Sequence, residues 1–382
     1  MYNKYKFSGN RLKKARIYRG FTVAGLAEQV GYQRQTISLY ESNQIDNPDE
    51  HVIKKISDVL SFPVKYFFEQ DKNLDIGSTY FRALLTTNKK YRNEQIQRME
   101  YISQIYCFLK EYINFPKLVL PQIDSNTTPE EAADMLRDSW NLGCRPIENI
   151  IFDVEQHGIV VTSSDTGTSA IDAYSQMVSI DGDSVFTIGY SNNKTSAARI
   201  HFDISHELGH ICLHDWSEDV EMLNRDEFKE REDEANRFAS SFLLPKDTFY
   251  YDVKKNPTSL PFYKELKRKW KVSMQAMIRR AYSLEIISYE EYQYLIRTLQ
   301  RRGMRKEEPL DNVLLTAKPS LLKTAVQMLL NEKVFTPKEF VDELSFSYNL
   351  SLYPNEIENL LNLPKDTLKI SNIIPIHNLQ II

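Results

Sequence analysis

The five residues His206-Glu207-Leu208-Gly209-His210 constrain this chain more than any other stretch. Their pattern, H-E-x-x-H, has chemical meaning on a helix, where residues four apart share one face. There the two imidazoles can grip one metal ion. Zn²⁺ suits them, with metal–nitrogen bonds of roughly 2.0–2.1 Å. Glu207, beside the first histidine, is placed to act as general base, taking a proton from water as it attacks a carbonyl. A hydrolytic zinc site also needs a third protein ligand and an open fourth position. The motif therefore calls for a third ligand from elsewhere in the chain.

That ligand is sought in Arg231-Glu232-Asp233-Glu234-Ala235-Asn236-Arg237-Phe238-Ala239. Phe228, Ala235, Phe238, Ala239, Phe242 and Leu243 recur at three- and four-residue steps, which marks a helix. Pro245 is a natural stop for it. Ala235 and Ala239 allow close packing against another helix. Glu234 flanks that small-residue face and is the first choice as third ligand. Glu230 and Asp233 are alternatives. His214 is a rival, although a third histidine in line with His206 and His210 is carried along the helix axis, away from the metal.

These residues also carry a resemblance. Ser205 to His210, His214, Glu234-Ala235-Asn236-Arg237-Phe238-Ala239 and Phe242-Leu243-Leu244-Pro245 resemble the ImmA/IrrE family of zinc metallopeptidases. So do Asp172-Ala173-Tyr174-Ser175, Arg199 and Trp140-Asn141-Leu142-Gly143 upstream. The similarity covers roughly 130–308. It implies zinc on His206, His210 and Glu234, catalysis by Glu207, and an intracellular protein that cleaves a regulator or itself regulates transcription.

A chain of 382 residues predicts two to three domains. Its formal net charge of −4 is unevenly spread. Residues 1–40 carry Lys4, Lys6, Arg11, Lys13, Lys14, Arg16, Arg19 and Arg34 against Glu28 alone, a local charge of +7 and an electrostatic footprint for phosphate. In the same region the sequence predicts a first helix over 10–18. Thr22 caps a second from Val23 to Val30, Gly31 turns the chain, and a third runs from about Gln33 to Glu41. Leu26, Ala27, Val30 and Ile37 form the apolar seam. Helix, short turn, helix is an arrangement that lays its second helix in the DNA major groove. Leu26-Ala27, Gly31, Thr36-Ile37-Ser38 and Tyr40-Glu41 resemble the phage-repressor-like (XRE) helix-turn-helix family, with Asn43 where glycine is usual. Arg34, Gln35, Thr36 and Ser38 are expected to face the bases, and Lys13 and Lys14 the phosphates of a double-stranded operator.

A long helical pattern from Asn88 to Tyr112 is expected to connect the two functions and suits a homodimer contact on a two-fold operator. Strand signals lie at 159–162, 177–180 and 185–188, with Asp181-Gly182 as a tight hairpin turn. Cys107, Cys144 and Cys212 lack metal-type spacing and suggest a reducing compartment. No run of 18 apolar residues and no hydrophobic signal core is visible, so no membrane partner is expected and cytoplasm is the expected location.

The expected fold class is mainly α (α+β). Residues 1–70 are expected to form a helix-turn-helix bundle and 71–125 a helical connector. Residues 126–308 are expected to form a zincin-like peptidase domain with a small β-sheet, and 309–382 a C-terminal helical region. The expected function is a DNA-binding transcriptional regulator whose zinc metalloendopeptidase domain cleaves a regulatory protein such as a repressor, under the control of a signal. The alternative is a transcription factor whose peptidase-like domain senses a ligand without proteolysis.

Overall fold

A computed structural model describes residues 6–370 apart from 72–74, 82–87, 169–170, 181–182, 194–195 and 219. The expected Asp181-Gly182 turn lies outside the described residues. Among those described, sixteen α-helices and one four-stranded sheet give the mainly α, α+β class that the sequence predicts. None of the described helices is long and apolar enough to cross a membrane. The chain forms two compact units. One comprises Met1–Asn73, Glu100–Ile113 and Leu322–Ile382; the other comprises Leu74–Met99 and Asn114–Leu321. This division differs from the expected boundaries: 309–321 stays with the second unit, the rest from Leu322 groups with the N-terminal helices, and 71–125 is shared between the units.

The first unit opens with α1 (Gly9–Tyr18), α2 (Val23–Val30), α3 (Arg34–Glu41), α4 (Glu50–Leu60) and a 3-10 turn at Val64–Phe68. Thr22 caps α2 by accepting from the Gly25 N–H, and Gly31, at φ 75°, lets it stop. Leu26, Ala27, Val30 and Ile37 are all buried. Asn43 takes φ 54°, and its Oδ1 accepts from the Gly9 N–H at 2.7 Å. The left-handed turn after α3 therefore also holds the start of α1. Gly9 is required there, since a Cβ would come within 2.1 Å of Tyr40 O.

Next come β1 (Asp75–Phe81) and α5 (Lys89–Lys110). Every residue of α5 from Met99 to Leu109 is buried. That part of the expected connector is packed within the chain, whereas Tyr91 and Ile96 are half-buried and Tyr112 is exposed.

The second unit continues with α6 (Pro129–Ser139), α7 (Ile150–Gln156), β2 (Val160–Ser164), β3 (Ala173–Ile180), β4 (Asp183–Ser191), α8 (Ala197–Leu213) and α9 (Arg225–Leu243). Helices α10 (Lys246–Val253), α11 (Leu260–Trp270), α12 (Met274–Ser283) and α13 (Tyr289–Arg301) follow. The sheet runs in the order β1-β3-β4-β2. β2 is parallel to β4, and the other pairs are antiparallel. The Thr128/Glu131 and Asn224/Glu227 capping boxes fix the starts of α6 and α9. Arg137 on α6 donates to Gly143 O, Arg145 O and, on α9, Phe242 O, which locks these segments together. Gly209 brings α8 against α9, since a Cβ there would lie 3.0 Å from Ala235 Cα and 3.2 Å from its carbonyl oxygen. The chain closes with α14 (Leu321–Asn331), α15 (Pro337–Tyr348) and α16 (Pro354–Leu360).

Candidate metal centre

Helix α8 presents His206 and His210 side by side, both fully buried. Their Nε2 atoms lie 3.1 Å apart. Glu232 on α9 closes the group, with Oε2 3.4 Å from His206 Nε2 and Oε1 3.3 Å from His210 Nε2. Tetrahedral ligands at zinc bond lengths stand about 3.3–3.4 Å from one another. The two imidazoles face different oxygens of the same carboxylate, and the three groups converge closely enough to hold one metal ion. Burial alone would raise the Glu232 carboxyl. Hydrogen bonds from the two imidazoles and their charges outweigh it and hold the group at about 2.

The expected third ligand, Glu234, is replaced in this cluster by Glu232. The reason is helical register. Phe228, Glu232, Ala235, Ala239 and Phe242 follow one another at steps of three and four, so Glu232 sits in the stripe that faces α8. Glu234 is one residue, about 100°, off that stripe. Its Oε2 instead lies 3.1 Å from His214 Nε2, and His214 Nδ1 lies 2.9 Å from His210 Nδ1.

His214, considered as a rival ligand, thus forms a relay from Glu234 to the far side of His210. If His210 binds metal through Nε2, its Nδ1–H donates to His214 Nδ1, and His214 Nε2–H donates to Glu234. Every proton is then assigned, in the manner that orients metal-bound histidines. Burial, followed by the charge of His210, depresses the His214 pKa to about 2, which keeps it neutral as this relay needs.

Glu207 is fully buried on α8, and its Oε2 accepts a 2.5 Å hydrogen bond from Ser175 Oγ on β3. Tyr80 on β1 stacks on His210, with centroids 4.8 Å apart and planes at 25°, and reaches His214 at 5.8 Å. Its hydroxyl accepts from Arg231 Nη1 at 2.7 Å. Arg231 also pairs with Glu218. Sequence reasoning missed Tyr80 because it lies far upstream and has no metal-binding chemistry of its own. It missed Glu232 although the stripe through Ala235 was visible.

In the first unit, Arg34, Gln35 and Ser38 on α3 are exposed and Thr36 is half-buried. The basic run of residues 1–40 is largely answered from outside itself. Lys6 pairs with Asp46 at 2.6 Å, Arg11 with Asp71 at 2.8 Å and Arg19 with Glu356 at 2.6 Å. Arg16 grips Glu41 through two nitrogens, fixing α1 to the end of α3. Lys14, expected to meet phosphate, lies 3.1 Å from Asp71 and 2.5 Å from Glu100, while Lys13 is exposed. The net charge of the run overstated the charge left for DNA.

The family model described as an IrrE N-terminal-like domain matches residues 154–282. That described as a helix-turn-helix domain matches residues 9–70. A comparison with curated proteins finds no match.

Proposed function

From a chain that carries a helix-turn-helix domain at 9–70 and an IrrE N-terminal-like domain at 154–282, we propose a DNA-binding regulator with a working zinc peptidase domain, which hydrolyses a peptide bond in another regulatory protein in the cytoplasm. The observation that carries this reading is the cluster of His206, His210 and Glu232, whose two imidazoles lie 3.1 Å apart and 3.3–3.4 Å from the two oxygens of one carboxylate, beside a second carboxylate held by Ser175. Zn²⁺, when bound, would supply the positive charge that polarises the scissile carbonyl and acidifies water. Glu207 takes the proton from the attacking water and returns it to the leaving amine. Ser175 fixes the plane of that carboxylate, and the His214–Glu234 relay keeps His210 Nε2 aimed as a ligand. On the DNA side, Arg34, Gln35, Thr36 and Ser38 read base edges, and Lys13 meets phosphate.

The test is direct. Protein purified without added metal should hold near one equivalent of zinc, and His206→Ala should lose it. Glu207→Gln should keep the zinc and fail to cut the regulator encoded beside this chain, because an amide cannot accept the proton. Cleavage at the wild-type rate by that variant would remove Glu207 as the base. No cleavage by the zinc-loaded wild type would leave a sensor rather than an enzyme.

A further inference from the structure

Strand β1 completes the sheet of the metal unit, yet at residues 75–81 it lies far outside the matched segment 154–282. It pairs antiparallel with β3 at the end of the sheet, and its register breaks between Ile76 and Thr79. Beyond that irregularity Thr79, Tyr80 and Phe81 lie opposite Gln176, Ser175 and Tyr174. Tyr80 is thus paired with Ser175, the residue that holds Glu207. Its ring covers one face of His210, and Gln176 Nε2 donates to Thr79 Oγ1 at 2.8 Å. His206, Glu207 and His210 are all shut off from solvent.

A sheet edge is where an extended peptide adds as one more strand, bound through its backbone. Here β1 fills that place on β3, with Tyr80 opposite Ser175, the residue that holds the Glu207 carboxylate. A site meant to act on another protein has to be reached, and the burial of His206, Glu207 and His210 shows it closed.

We propose that β1 is a removable occupant of the edge from which the metal centre is reached, placed there by the chain itself, and that an extended segment of a protein substrate takes the same place when β1 leaves. The second clause rests on the peptidase reading; the first does not. Tyr80 is the latch: it ties the strand to His210 by stacking and to Arg231 by a hydrogen bond.

The test uses the full-length, zinc-loaded chain in two forms. Thr79→Cys with Gln176→Cys, in a Cys144→Ser background, joins a directly opposed pair; such Cα atoms stand about 4.5–5.5 Å apart, within reach of a disulfide. Tyr80→Ala opens the latch. EDTA should strip zinc from Tyr80→Ala about tenfold faster or more than from wild type, the order expected from losing an aromatic stack and a charged hydrogen bond. The oxidised cross-linked form should release zinc more slowly than the same protein reduced. With casein as an unfolded protein probe, cleavage should rise in Tyr80→Ala and fall in the cross-linked form until it is reduced. A mere supporting role of Tyr80 for His210 would not respond to the cross-link. Equal zinc loss from oxidised and reduced forms overturns the proposal. So does casein cleavage that is indifferent to the cross-link. If no form cuts casein while the cross-link still slows zinc loss, β1 remains the occupant and the peptidase reading falls.

Discussion

Ser175 Oγ on β3 donates a 2.5 Å hydrogen bond to Glu207 Oε2 on α8, so the carboxylate proposed as base is oriented from the sheet rather than from its own helix. Helix α8 fixes the position of Glu207 but not the rotation of its carboxylate plane, and Ser175 removes that freedom. A hydrogen bond to a charged group contributes about 1.5–3 kcal/mol. Ser175→Ala should therefore lower kcat roughly ten- to a hundredfold with little change in KM or zinc content. A variant with unchanged kcat would show that the carboxylate needs no such support.

The two acids of α9 separate cleanly. Glu232→Gln should lose the metal, because it removes the only anionic group of the His206, His210 and Glu232 set. Glu234→Gln should retain it and weaken zinc affinity about ten- to a hundredfold, the range for partners that orient a metal-bound histidine. Competition with a chelator of known affinity measures both. Zinc loss in Glu234→Gln with retention in Glu232→Gln would restore the ligand choice made from sequence.

That choice shows where the sequence could be read and where it could not. The H-E-x-x-H spacing identified the helix, and Ala235 and Ala239 marked the side of α9 that meets it. The same three- and four-residue stripe runs through Glu232, so its place beside the two histidines was recoverable from periodicity; adjacency to Ala235 favoured Glu234, which the fold sets beside His214. Thr22, Gly31 and Asn43 were legible because each has a local backbone role that needs its residue type. Lys14 was not, because Asp71 and Glu100 reach it from 57 and 86 positions away, and a charge count over 1–40 contains neither. The edge strand β1 was not legible either. A strand pairing across about 100 residues leaves no periodic mark when it is only seven residues long.

His201 gives the metal unit an acid sensitivity that does not depend on zinc. It is fully buried on α8 and touches Thr316 Oγ1 at 3.3 Å. Burial, then the charge of Lys271, lowers its pKa from 6.5 to about 3. Between those values the unfolded chain binds a proton that the folded chain refuses. Stability is therefore complete above about 6.5 and is lost as pH falls toward about 3, by at most about 1.4 kcal/mol per pH unit from this group. All three tryptophans, Trp140, Trp216 and Trp270, lie in the second unit, so their fluorescence during denaturation reports on that unit alone. His201→Gln in metal-stripped protein should show a shallower loss of stability between pH 6.5 and 5 than the wild type. Parallel curves would show that His201 is not among the titrating groups.

The last prediction separates the two lysines of α1. Arg34 and Gln35 project from the exposed side of α3, and Ile37 is buried on the other. Arg34→Ala and Gln35→Ala should each cost specific DNA binding on the order of 1–3 kcal/mol and leave zinc content untouched. Lys13→Ala should weaken binding to every sequence and reduce the salt slope by roughly 1. Lys14→Ala should leave the salt slope as it is, because Asp71 and Glu100 already neutralise that ammonium. Its cost should appear instead as lost stability of the first unit, on the order of 1 kcal/mol, because Asp71 keeps Arg11 and Glu100 keeps Gln104 when the ammonium goes. Binding to the chain's own promoter region and to scrambled DNA across a salt series decides the matter. A salt slope that falls equally for both lysines would mean that Lys14 leaves its acids to meet phosphate. No DNA bound at low salt would make α3 a protein-docking helix.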